Sequence, residues 1–187
     1  MPLDITFTLS DRDLERFRTI VEKARTTNTD SLSMIEIERA AYKIVDIATN
    51  TDLPDFIAKR LLQLKILLEM LKDEDWQVSD NERKSIMSAL AYFSDPIDLI
   101  PDHIPGIGFL DDAMFVEIII RELSYELEAY SEFSQFRTDE ESRLTAAGEN
   151  PDANKSQWLG AKRAELQTQI KAARGAADED EFIFQLL

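Results

Sequence analysis

The chain has 187 residues, 44% of them hydrophobic, which suits one compact domain with extensions. It has no cysteine, which excludes a disulfide framework, a thiolate zinc site and a cysteine nucleophile. Its net charge of −16 disfavours binding to nucleic acid or anionic lipid, because phosphate groups are repelled. No signal peptide and no apolar run of roughly 18 to 20 residues is visible, so we expect a cytoplasmic protein without a transmembrane span.

The N-terminal part of the chain predicts an extended arm followed by three helices. Residues 5–9 alternate apolar and polar residues, as in a short strand, and Ser10 begins a helix with a capping-box pattern. A second helix is predicted at 31–49, and a third from Pro54 to about Lys72. The third helix is apolar almost all round, which is typical of a helix in the middle of a bundle.

Three further helices are predicted after this point. Ser79 and Glu82 form a second capping-box pattern, which opens a helix that runs to Phe93. The longest helix is predicted at about 112–136, buried in its first half and half exposed in its second. The last helix, at about 158–174, has only a thin apolar stripe.

These elements predict an all-α fold, a bundle of about five core helices with an irregular loop between the fourth and fifth, plus a C-terminal helical tail. The expected division is a helical domain at 1–137, a polar linker at 138–157, and a C-terminal helix with an apolar tail at 158–187. Exposed apolar segments mark contact sites, so the tail packs on its own core or binds a partner. Its candidate contact residues are Phe182, Phe184, Leu186 and Leu187.

Charge is distributed unevenly along the chain. Residues 111–150 hold eleven acidic and three basic residues, whereas 155–174 hold five basic and one acidic. We expect the basic segment to lie on an acidic face, either of this chain or of a second copy. The acidic run of helix 112–136 is interpreted first as a solvated face, with docking of the basic segment as the alternative.

The most informative segment is 95–112, which reads DPIDLIPDHIPGIGFLDD. Its prolines and glycines predict irregular backbone, and its apolar residues indicate packing against the bundle. Buried irregular backbone needs acceptors for its N–H groups, and carboxylates supply them. Either Asp111 or Asp112 is expected to cap the following helix. The motif residues are Pro96, Asp98, Pro101, Asp102, Pro105, Gly108, Asp111 and Asp112.

The spacing of these residues, P-x-D-L-I-P-D followed by G-x-L-D-D, resembles the signature of the YkvA-like family, a widespread bacterial domain of unknown function. The resemblance covers about 85–125. It implies a helical domain with this loop as its hallmark and no established activity. Many family members are drawn with an apolar, membrane-embedded segment after the motif, and this sequence departs there with Glu117, Arg121 and Glu122.

A metal site is the alternative interpretation of the loop. Mg²⁺ and Ca²⁺ prefer carboxylate and carbonyl oxygens, and the candidate ligands are Asp98, Asp102, Asp111 and Asp112. The spacing matches no standard calcium loop, so satisfaction of backbone N–H groups is the first interpretation. His103 is the only histidine, so a helical di-iron site with two Glu-x-x-His pairs cannot be built.

The leading functional hypothesis is a non-enzymatic protein-interaction or scaffold module that needs no cofactor and binds a protein partner or another copy. No catalytic residue is assigned. The first alternative is a carboxylate-based divalent-metal-binding protein, such as a metal-dependent hydrolase. The second alternative is a peripheral membrane module that binds through the apolar residues of 97–110.

Overall fold

The computed structural model describes residues 15, 19, 34–94, 100, 102–104 and 107–177. Regular structure within these residues is helical, which confirms the predicted all-α class. The predicted strand at 5–9, most of the predicted first helix and the apolar tail at 182–187 lie outside the described residues. The helices are α1 (Met34–Asn50), α2 (Asp55–Leu61), α3 (Gln63–Lys72), α4 (Asp80–Leu90), a 3-10 helix (Ala91–Ser94), α5 (Leu110–Glu122), α6 (Ser124–Ala146) and α7 (Lys155–Ala176).

Helices α2 and α3 form the middle of the bundle, with α1, α5 and α6 packed around them. Leu64, Leu67 and Leu68 of α3 are almost completely buried. Each such side chain contributes about 1.5–3 kcal/mol when it leaves water. Phe56 and Ile66 are about half exposed, so this part of the chain is not enclosed on every side as its composition predicted.

Two predicted helices are each divided by a leucine. Leu62 separates α2 from α3 while keeping helical angles, and Leu123 separates α5 from α6 with φ −106° and ψ 18°. Leu123 is fully buried, and its N–H still donates to the Ile119 carbonyl at 3.0 Å. The chain therefore leaves helical angles at Leu123 although this hydrogen bond is kept. Neither proline nor glycine marks the position, so the sequence offered no local signal for the break.

Helix α4 begins as predicted. The Ser79 side chain accepts from the Glu82 N–H at 3.3 Å, and the Glu82 carboxylate accepts from the Ser79 N–H at 2.9 Å. This reciprocal pair satisfies two N–H groups that have no partner inside the helix. The α-helix ends at Leu90, and the 3-10 helix continues the chain to Ser94, at the start of the motif loop.

The predicted linker at 138–157 is largely helical, so its predicted extent is wrong. Helix α6 continues to Ala146 and α7 begins at Lys155. The stop is at Gly148, whose φ of 74° allows Glu149 N–H to donate to the Leu144 carbonyl and Gly148 N–H to the Thr145 carbonyl. This pattern is a Schellman C-cap. The polar composition of 138–146 reflects an exposed helix, and the division into three regions stays a prediction.

Candidate functional site

The described part of the motif loop is closed by direct backbone packing at Gly108. Its N–H donates to the Ile104 carbonyl at 2.8 Å. A Cβ atom at this position would lie 2.3 Å from the Asp102 carbonyl oxygen and 3.0 Å from the Ile104 oxygen. Any other residue would collide with main-chain atoms, so the glycine of the motif is required by close approach.

Phe109 turns the chain into α5. Its backbone is left-handed, with φ 61° and ψ 10°, and its ring is buried. Because the turn is complete at Phe109, α5 begins at Leu110, two residues before the predicted start at 112. The prediction that Asp111 or Asp112 caps this helix is therefore wrong, because both lie within its first turn. There the helix dipole stabilises their charge.

Asp111 joins three parts of the motif region. It is 3% exposed, and its Oδ2 accepts from the Ile100 N–H at 3.1 Å and from the Tyr92 hydroxyl at 3.4 Å. The bond from Ile100 is the contact that the backbone-acceptor interpretation requires. A buried carboxylate on α5 thus holds the loop, through Ile100, and the 3-10 helix, through Tyr92.

An aromatic cluster lies beside this carboxylate. The Tyr92 ring stacks on the Phe115 ring with centroids 4.0 Å apart and planes 18° apart. Phe93 meets both rings edge-on, at 5.5 and 5.8 Å. Such ring pairs contribute about 0.5–1.5 kcal/mol each beyond the area they bury. The cluster fixes the Tyr92 hydroxyl at a position from which it reaches Asp111.

Of the other predicted metal ligands, the structure describes Asp102 and Asp112. Asp102 and His103 are exposed, and Asp112 is buried. Within the described part of the chain, no group of three histidine or acidic side chains is arranged to hold a metal ion. The four-aspartate metal site stays a prediction, since one of its members lies outside the described residues. The motif residues outside them are Pro96, Asp98, Pro101 and Pro105.

The motif segment is shared with known proteins. Residues 82–116 match the family described as "Protein of unknown function (DUF1232)". The Bacillus subtilis (strain 168) protein named "Uncharacterized membrane protein YkvA" is 31% identical over 81 residues, which cover 40% of this chain and 74% of that protein. The chain belongs to the DUF1232 family. This membership confirms the predicted YkvA-like resemblance. No solved structure matches the chain.

Outside the segment matched by DUF1232, a second carboxylate organises the turn between α3 and α4. The two terminal guanidinium nitrogens of Arg137 contact the carboxylate oxygens of Asp73, at 3.0 and 2.8 Å, and the Tyr130 hydroxyl donates to the same carboxylate at 3.1 Å. Backbone N–H groups of Asp75 and Trp76 also donate to Asp73. Five hydrogen-bond donors from the turn and α6 therefore converge on one side chain.

The ionisation of this cluster is shifted by its surroundings. Burial alone would raise the pKa of Asp73, but hydrogen bonds and charge from Arg137 outweigh it and hold that pKa below its ordinary value. Burial and the Asp73 charge together raise the pKa of the Tyr130 hydroxyl. The cluster therefore exists as an ion pair with a neutral tyrosine at neutral pH.

The basic helix α7 lies antiparallel on the acidic helix α6. Arg174 pairs with Glu126 through two hydrogen bonds, at 2.5 and 2.7 Å, and Lys162 pairs with Glu132 at 2.6 Å. Glu122 and Glu126 are buried, so the first interpretation of the acidic run as a solvated face is wrong for them. The alternative, docking of the basic segment on an acidic face of the same chain, is confirmed.

Sequence reasoning missed the Asp73 cluster, because its members are separated by more than 50 residues along the chain. Two signals were available. Asp73, Asp75 and Trp76 stand together between two predicted helices, where acidic side chains satisfy turn backbone. Arg137 is the single basic residue in 122–142, and an isolated cation in an acidic helix indicates a specific partner.

Proposed function

We propose that this DUF1232 protein is a non-enzymatic helical interaction module, with the motif loop as an internal structural element. The observation that carries the proposal is a set of exposed apolar side chains on the first described helices. Their exposed fractions lie between 36% and 68%, and apolar side chains grouped on a surface mark sites of contact. This α1–α3 surface consists of Met34, Ile35, Tyr42, Phe56, Leu62 and Ile66.

A groove of about 630 Å³ between α1, α3 and α6 supports this assignment. Tyr42 and Ile66 both line it. Ile35 lies two helical turns before Tyr42, and Leu62 lies one turn before Ile66, so each pair shares one side of its helix. Charged side chains also line the groove, among them Lys72, which pairs with Glu38 and extends over the Tyr42 ring. A surface that combines apolar and polar side chains is typical of protein interfaces.

The C-terminal tail is the second contact region in this proposal. Its apolar residues Phe182, Phe184, Leu186 and Leu187 follow directly on the acidic residues 178–181. A short apolar segment with acidic flanking residues suits insertion into a groove on a partner. A cytoplasmic location completes the proposal, supported by the acidic, cysteine-free composition.

The test compares Ile66→Glu with Lys65→Glu in the full-length, tagged protein. Each variant is expressed in the organism that makes the protein, cross-linked in the cells and recovered through the tag. Ile66→Glu places a charge in the groove, and we expect recovery of the bound partner to fall about tenfold, as for a residue central to an interface. Lys65 is exposed on the same helix and serves as the matched control. Equal recovery of the same proteins with both variants would exclude the α1–α3 surface as the contact.

A second candidate function is peripheral membrane binding through the motif loop. Ile107 of this loop is 47% exposed, and the Bacillus subtilis relative is named a membrane protein. No helix in the described part of the chain is long and apolar enough to span a bilayer. Because the charge of −16 repels anionic lipid, contact would rest on shallow apolar insertion into neutral lipid.

Flotation with phosphatidylcholine vesicles tests this candidate. Wild type and Ile66→Glu should float equally, whereas Ile107→Glu should stay at the bottom, because a charged side chain opposes insertion. Wild-type protein that remains at the bottom excludes membrane binding through the loop. That result leaves the proposed protein contact unaffected, since the two candidates use different residues.

A further inference from the structure

Helix α7 is held on α6 by charge pairs along the whole interface. Lys155 contacts Glu141 at 2.8 Å near one end of the interface, and Lys162 contacts Glu132 at 2.6 Å in the middle. Near the other end, Arg174 binds the Glu126 carboxylate through two bonds and donates to the Glu122 carbonyl at 2.9 Å. Because the first residues of α7 pair with the end of α6 and the last residues of α7 with its beginning, the helices are antiparallel.

The apolar part of this interface is narrow. Leu159 and Leu166 of α7 are buried, whereas Trp158 and Ile170 are only partly buried. Trp158 contacts the Phe136 ring of α6 edge-on, with centroids 5.9 Å apart. Most of the stability of a helix in a protein comes from packing of its apolar face, so α7 depends on an α6 surface of this kind.

The connection between the two helices has eight residues and one strained position. It spans 147–154 and contains Pro151. Asn154, immediately before α7, has left-handed backbone with φ 61° and no side-chain capping bond. The first bond of the turn into α7, from Lys155 N–H to the Asp152 carbonyl, is long at 3.4 Å. Opening this connection would relieve the left-handed conformation, and strain in a connection favours exchange of the element that follows it.

We propose that α7 is exchanged between two copies of this chain, so that each α6 in a dimer receives the α7 of the partner. The proposal concerns the α6–α7 interface alone and is independent of the α1–α3 surface. The charge pairs and the two buried leucines form equally in both arrangements. The exchanged dimer differs from the monomer in the conformation of 147–154. Its population also depends on protein concentration, whereas folding of the monomer does not.

A second copy is the partner that best fits this surface. The buried Glu126 needs an arginine that can form two parallel hydrogen bonds, because a lysine does not match that geometry. The arginine must stand twelve positions after a lysine that reaches Glu132, with leucines seven positions apart on the same side. Helix α7 of an identical chain meets every requirement.

Charge reversal distinguishes exchange from simple association. A chain with Glu126→Arg has arginine at both 126 and 174, and a chain with Arg174→Glu has glutamate at both. For each variant alone, like charges therefore face each other in the monomer and in a dimer exchanged between identical chains. When the two full-length variants are mixed, the exchanged heterodimer has one native pair and one reversed pair, both attractive. We expect the dimer fraction in the mixture to exceed that of either variant alone by about tenfold or more.

Native mass spectrometry after partial unfolding and refolding of the mixture measures this fraction, with the variants labelled by different isotopes. The heterodimer has twice the chain mass of 21.4 kDa. The double variant Glu126→Arg with Arg174→Glu in one chain is the matched control, and it should behave as wild type. A mixture that stays monomeric overturns the proposal, as does a dimer fraction equal to that of the separate variants.

A milder pair of variants protects the test from loss of folding. Glu132→Lys and Lys162→Glu reverse a pair whose glutamate side chain is 55% exposed, so both chains should fold. Preferential heterodimer formation by this mixture supports exchange in the same way. If both mixtures contain folded monomer only, α7 stays on its own chain and the proposal is wrong.

Discussion

Adding one methyl group at Gly108 is expected to destabilise the fold strongly. The new carbon would lie 2.3 Å from the Asp102 carbonyl oxygen, more than 1 Å inside an ordinary contact of about 3.5 Å. The oxygen belongs to the main chain, so no side-chain rotation relieves the overlap. The loop must move, which breaks the bond from Gly108 N–H to Ile104, a loss of about 1 kcal/mol, and partly exposes Phe109.

The strain of overpacking adds about 1–3 kcal/mol to these terms. We therefore expect Gly108→Ala to lower the free energy of unfolding by about 3–5 kcal/mol, a large part of the 5–15 kcal/mol typical of a domain. The measurement is urea unfolding followed by circular dichroism at 222 nm. A shift in the unfolding midpoint at constant slope reports the change in stability.

The same substitution at two other glycines provides the controls. Gly175 lies in the last turn of α7 with open space around it, so Gly175→Ala should be neutral or stabilise by up to about 1 kcal/mol. Gly148 also has open space but a φ of 74°, so Gly148→Ala should cost about 1–2 kcal/mol from backbone strain alone. A Gly108→Ala variant no less stable than Gly148→Ala would refute the argument from main-chain collision.

Three further predictions follow from individual contacts. Since the folded-state pKa of Asp73 is lowered, its pairing with Arg137 stabilises the fold above the unfolded pKa of about 3.9 and is lost as pH falls through the lower folded pKa. Asp73→Asn should therefore be less stable than wild type at pH 7, by about 2 kcal/mol. The difference between the urea midpoints of the two proteins should be smaller at pH 3 than at pH 7, and a difference that stays constant would contradict this. Tyr92→Phe keeps the ring stack and removes the donor to Asp111, so thermal unfolding should show a loss of about 1 kcal/mol, and none if that bond is unimportant. Ser79→Ala removes the α4 cap and should cost about 1 kcal/mol in the same assay, whereas an unchanged midpoint would mean that the cap contributes nothing.

The parts of the fold that sequence predicted are those fixed by local patterns. The capping box at Ser79 acts within one helical turn, and the structure agrees with it. The apolar composition of 54–72 correctly indicated the middle of the bundle, but not the half-exposed Phe56 and Ile66. The break at Leu123 is different, because the residue is fully buried and no proline or glycine marks the position. The extent of the linker was misjudged because polarity alone does not separate an exposed helix from a loop.

Part of the candidate site was also predicted from the sequence. Motif spacing indicated which residues matter, and close backbone approach explains Gly108. The start of α5 at Leu110, directly after Phe109, escaped prediction, because left-handed backbone at a phenylalanine is uncommon and has no sequence signature. Tyr92 was not singled out either, since its link to Asp111 depends on ring packing with Phe115.

Asp111 and Asp73 perform the same physical task in different places. Each is a carboxylate that accepts hydrogen bonds from a tyrosine hydroxyl and from the backbone of a connection, and each ties that connection to a helix. Of the two, only Asp111 lies within the residues matched by the DUF1232 family. The motif thus fixes the bundle from inside, while the α1–α3 surface and the α6–α7 interface lie on residues beyond the matched segment. Motif substitutions such as Gly108→Ala should therefore act on folding, whereas Ile66→Glu and the reversals at the exposed pair of Glu132 and Lys162 should change association in a chain that remains folded.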